Sequence, residues 1–116
     1  MIIEKQKHRL EVKNSDLSGS LFDDVNISGV TYENTNLSGG RYHNFNFAGA
    51  TFEDGLMSGC NATNVNLSGL RIDNANLAGA SIVNSRLEGM TIDGIDVVEL
   101  LAAWRERAAA SGATEK

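Results

Sequence analysis

Residues 15–39 read SDLSG SLFDD VNISG VTYEN TNLSG, five units of five residues laid end to end without an insertion. In each unit the third residue is apolar or aromatic (Leu17, Phe22, Ile27, Tyr32, Leu37) and the fifth is Gly, Asp or Asn. Followed outward in both directions, the register holds from Leu10 to Glu99, eighteen units in all. Every third position in that span is apolar, through the undersized Ala62 to Ile92 and Val97, and every first position is small or uncharged. Charged residues fall only on the second, fourth and fifth positions. The fifth position is Gly, Asn or Asp from Asn14 to Gly94, and Glu99 alone breaks that column.

Geometry accounts for each column. First and third positions, two apart, share one face of an extended segment, so three residues make a minimal strand with two side chains inward and the second outward. The fourth and fifth residues turn the corner. A type II turn needs positive φ at its second central residue, which Gly adopts freely and Asn or Asp tolerate best among the rest. A helix is excluded: at about 100° per residue a five-residue step scatters the apolar positions around the cylinder. The pattern therefore reads as an all-β solenoid of short strands and corners.

The units SDLSG, VNISG, TNLSG, VNLSG and ANLAG resemble the A(D/N)Lxx consensus of the pentapeptide-repeat family, over about 90 residues of the chain. That resemblance implies a right-handed quadrilateral β-helix with four units per coil and the third-position side chains stacked inside. Twenty residues per coil give about 4.5 coils for residues 10–99, with residues twenty apart stacked at about 4.8 Å. One interior column then runs Leu17, Leu37, Met57, Leu77, and another Phe22, Tyr42, Ala62, Ile82. The bulky first-position residues Val25, Phe45, Val65 and Leu70 depart from the family's usual small residues and call for local repacking.

With 116 residues and 41% hydrophobic content the chain fits one small domain. Residues 1–9 read as an N-terminal arm or cap strand, 10–95 as the β-helix, 96–110 as an amphipathic helix and 111–116 as a disordered tail. Asp96 with Glu99 three residues later has the spacing of a capping box, and Val97, Leu100, Leu101 and Trp104 fall on one helical stripe. This stripe reads as a lid over the open end of the solenoid. The resemblance adds a second use, a homodimer interface, because family members pair through such helices. The single cysteine, Cys60, rules out an internal disulfide and reads as a small core hydrophobe, and no apolar N-terminal segment suits a signal peptide or a membrane span. A cytoplasmic location is expected.

Net charge is −5, which disfavours direct binding to nucleic acid or an anionic membrane. Residues 15–99 carry eleven acids against Arg41, Arg71 and Arg86, a net −8 with histidine neutral. Glu33, Glu53, Asp73 and Asp93 share the fourth position at twenty-residue spacing, so one acidic column is expected along one side. Adjacent carboxylates at that spacing repel by about 1 kcal/mol in water, and Arg71 lies in the neighbouring column. His8 lies in the N-terminal arm and His43 is an outward fourth-position residue with Asp23 one coil before and Thr63 one coil after. No nucleophile, base and orienter converge, so the pattern offers no catalytic constellation, cofactor site or metal site. It reads as a non-enzymatic interaction or scaffold module for an unidentified protein partner. The alternative is an acidic DNA mimic that binds DNA gyrase or another DNA-binding protein, implied by the resemblance to quinolone-resistance members of the family.

Overall fold

The structure is a computed structural model and describes residues 1–112. It divides into two compact units, Met1–Leu56 and Met57–Lys116. In both, the repeat is written in the backbone as left-handed residues at intervals of five, but the corners are of two kinds that alternate, so the true period is ten. The glycine corners, Gly19 through Gly89, have φ between 71° and 79°. Each is closed by a main-chain bond from the following residue's N–H to the third-position carbonyl, as in Ser20 N to Leu17 O at 3.1 Å and Leu70 N to Leu67 O at 3.0 Å. The type II geometry expected for every corner is met here, where φ near +80° is required.

The intervening corners, Asn14 through Asn84, have φ between 48° and 56°. Among the described residues none is closed by a main-chain hydrogen bond. A type II turn at these corners is thus corrected to a single αL residue. Asn and Asp carry a Cβ, and the αL well near +57° is the positive-φ region that such residues tolerate. Three of these corners are bridged from the side instead: the hydroxyls of Ser15, Thr35 and Ser85 donate to the carbonyls of Lys13, Glu33 and Val83 at 2.8, 3.0 and 2.8 Å.

A third interaction separates the two kinds of unit. In glycine-cornered units the second residue is usually Asp or Asn, and its Oδ1 accepts from the backbone N–H two residues on, from Ser18 to Asp16 at 2.9 Å and from Ala48 to Asn46 at 2.8 Å. Asn26, Asn36, Asn66 and Asn76 do the same. The side chain thereby presets the turn before glycine completes it.

In the second unit the repeat ends in a different structure. Met90–Gly94 was expected to be one more repeat unit; instead strands β1 (Thr91–Ile92) and β2 (Ile95–Asp96) pair antiparallel, Ile92 opposite Ile95 and Thr91 opposite Asp96. The connecting residues Asp93 and Gly94 both have positive φ, 49° and 78°, the requirement of a type I′ hairpin loop. Helix α1 (Val97–Ala110) follows directly. Asp96 is its N-cap, its Oδ1 accepting from Val98 N at 2.9 Å and Glu99 N at 3.4 Å. This is the same side-chain turn used throughout the repeat. With Glu99 where glycine would stand, the backbone stays right-handed and continues as helix. Glu99 in the first turn and Arg107 in the last complement the helix dipole. Ser111 and Gly112, assigned above to the tail, close the helix: Ser111 N donates to Arg107 O at 3.0 Å, Gly112 N to Ala109 O at 3.1 Å, and Gly112 takes φ of 77°. The rest of the expected tail, 113–116, lies outside the described residues, and residues 1–9 form neither strand nor helix.

Packing is local. Val97 is buried to 8% exposure, with its N–H bonded to Met90 O at 3.0 Å and with Leu87, Met90 and Leu101 partly covered. Elsewhere the third-position side chains are exposed, and within each unit no two described residues twelve or more apart bring their Cα atoms within 8 Å. The interior columns at about 4.8 Å spacing are therefore not made in this conformation. Its regularity comes from turns spanning three residues, which form without any contact between coils.

Candidate functional site

The two faces of most five-residue segments are chemically distinct, Leu21, Leu56 and Val83 being the bulky apolar exceptions on the outer one. First and third positions lie together: the rings of Phe45 and Phe47 are 4.9 Å apart, and Phe47 stands 5.5 Å from Tyr42 and 5.9 Å from Phe52. These four residues form one aromatic cluster in the first unit. Gly40 makes room for it, since a Cβ there would meet Leu37 O at 3.2 Å and the Tyr42 ring at 3.3 Å. Second and fourth positions lie together on the other face. The three ion pairs among the described residues join them: Glu11–Lys13 at 2.8 Å, Arg71–Asp73 at 3.6 Å and Arg86–Glu88 at 3.1 Å. These pairs are solvated and each contributes at most about 1 kcal/mol. They do set the charge pattern, because they neutralise Asp73 and Glu88 locally and leave Glu33 and Glu53 without a salt-bridge partner among the described residues.

The four residues expected in one acidic column are placed differently. Asp73 and Asp93, in the second unit, line the same open cleft of about 450 Å³, with Arg71 and Thr91 also on its walls. Residues twenty apart thus flank one opening without pairing as strands. Asp93 stands in the hairpin loop and not in a repeat strand. In the first unit Glu33 and Glu53 are exposed and do not approach each other within 8 Å at Cα.

The helical candidates also separate. Val97 is buried and Leu101 partly so, whereas Leu100 is 44% and Trp104 62% exposed. Trp104, Arg107, Ala108 and Ser111 border a shallow depression of about 250 Å³. Of the four, only Val97 and Leu101 have covered side chains; Leu100 and Trp104 present apolar surface to water.

Sequence reading overlooked the side-chain acceptors of the second position and the pairing of second with fourth. Both had a visible signal, the ten-residue alternation of Asp/Asn-x-x-Gly units with units ending in Asn or Asp. Asp16 illustrates the electrostatics. The Ser18 backbone N–H, followed by the Ser18 side chain, holds its carboxyl below the usual aspartate range.

A family model of pentapeptide repeats matches residues 46–82 and 56–94, with 8 copies. The chain carries pentapeptide repeats. No curated protein and no solved structure matches it. Pentapeptide repeats imply a β-helical fold in general, and proteins built from them are in general structural or binding modules. Among the described residues no helix is long and apolar enough to cross a membrane.

Proposed function

We propose that this pentapeptide-repeat chain is a non-enzymatic protein-interaction or scaffold module of the cytoplasm. In this reading the repeat closes into a right-handed quadrilateral β-helix of about 4.5 coils with neighbouring coils about 4.8 Å apart. The observation that carries it is the sidedness of the units, with aromatic and aliphatic groups on one face and ion-paired charges on the other. A chain so divided must cover its apolar face. In the described conformation the third-position side chains from Leu17 to Ile82 are exposed. In this reading, stacking residues twenty apart supplies the cover. The outward face, studded with carboxylates, then meets a basic protein surface.

The second reading, an acidic DNA mimic directed at gyrase or another DNA-binding protein, is favoured by the placement of Asp73 and Asp93, twenty residues apart, on one cleft. One experiment separates the two. A gyrase supercoiling assay, with and without a quinolone, is run alongside affinity capture of partners by the wild-type chain and by the Glu53→Gln, Asp73→Asn double variant. A scaffold captures a partner and leaves supercoiling unchanged. Inhibition that the double variant loses identifies the mimic, and capture of the same partners by wild type and variant overturns the acidic face as the docking surface.

A further inference from the structure

The chain contains two Asp-Gly dipeptides, Asp54–Gly55 and Asp93–Gly94, and their surroundings differ. At an Asp-Gly sequence the glycine nitrogen attacks the aspartate Cγ. The N–H proton is lost, a carboxyl oxygen leaves as water, and a five-membered succinimide forms. Water then adds back to either carbonyl, returning aspartate or giving isoaspartate, with no change in mass and no oxidant or reductant. Glycine speeds the step because no Cβ blocks the nitrogen's approach. The other requirement is freedom of the aspartate backbone to rotate into line.

Asp93–Gly94 lacks that freedom. It is the loop of a hairpin whose flanking residues are paired, Ile92 with Ile95 and Thr91 with Asp96. Asp54–Gly55 is held by nothing comparable. Its corner has φ of 52° and no main-chain hydrogen bond across it among the described residues. Corners followed by Ser15, Thr35 and Ser85 gain a hydroxyl bridge that Gly55 cannot supply. Those followed by Val25, Phe45, Val65 and Ala75 carry a Cβ on the attacking residue. A Cβ built at Gly55 would meet only Glu53 O, at 3.9 Å, so the space beside the glycine Cα is open. The next unit is also weakly secured: Leu56, like Arg86, stands where the other glycine-cornered units place an Asn or Asp acceptor, and its turn bond, Cys60 N to Met57 O, is 3.4 Å, as long as that of Gly40 N to Leu37 O.

We propose that Asp54–Gly55 is a site of spontaneous isoaspartate formation, and so a substrate for isoaspartyl carboxyl methyltransferases. Isoaspartate inserts a methylene into the main chain and destroys the αL corner at residue 54, so the change interrupts the repeat in mid-chain. The test ages the full chain at physiological temperature and mildly acidic pH, then locates isoaspartate by electron-transfer fragmentation and by methyl incorporation with a purified isoaspartyl methyltransferase. Isoaspartate accumulates at residue 54 several-fold faster than at residue 93. Gly55→Ala, which meets only ordinary contacts, suppresses it, and Asp54→Asn gains the mass of deamidation sooner still. Equal or faster conversion at residue 93, or an undiminished rate at residue 54 in Gly55→Ala, overturns the proposal.

Discussion

Asp16 and Asn26 perform the same task, each accepting a backbone N–H from a serine two residues on at 2.9 Å, yet only one of them titrates. Because the Ser18 N–H favours the ionised carboxylate, the folded pKa of Asp16 lies below its unfolded value. A depressed carboxylate pKa stabilises the turn fully above about pH 4, and that stabilisation is lost as pH falls through the lowered pKa. Acid titration followed by NMR should therefore shift and deprotect the Ser18 amide while leaving Ser28 unmoved. Asp16→Asn should remove the pH dependence and keep the bond. A Ser28 response equal to that of Ser18 would show that the whole repeat, and not this one acceptor, responds to acid.

At the scale of elements, the hairpin and helix at the C-terminal end form the best-packed segment, centred on Val97. Asp96→Ala removes the acceptor for Val98 and Glu99 and should cost the helix about 1 kcal/mol. Val97→Ala removes the one buried side chain among the described residues and should cost about 1–2 kcal/mol. Hydrogen exchange over residues 91–110 checks both, with the corner amides of residues 15–50 as the unaffected control; uniform loss of protection would mean that the end and the repeat unfold as one. Much of this element was legible. Asp96, Glu99 and the apolar stripe announced the helix through spacing alone. The hairpin was not legible, because Asp93–Gly94 satisfies two rules at once. Read in fives, Gly94 is one more corner; read as a pair, Asp-Gly is a type I′ loop. Which rule wins depends on whether Ile92 finds Ile95, a pairing the five-residue register does not encode.

For the whole molecule, the outstanding quantity is the apolar surface that the repeat places on one face. If the coils close, X-ray scattering on a size-exclusion column should give a radius of gyration near the ~13 Å of a compact chain this long. A value near the ~35 Å of an unfolded chain would sink the quadrilateral helix. Light scattering on the same column tests the exposed face of α1: a homodimer through Leu100 and Trp104 should become a monomer on Trp104→Ala, whereas a lid should leave the mass unchanged and lower stability. Sequence by itself determined the corners, because a turn closes within three or four residues and its φ values follow from whether glycine or an Asx residue occupies the fifth position. It likewise determined the two chemical faces, since alternation along an extended segment is a property of the backbone. Only tertiary structure decided that Met90–Asp96 turns back on itself as a hairpin and that Val97 is the residue it buries. Those outcomes depend on which segments meet and which side chain loses its water, and neither is a function of five-residue spacing.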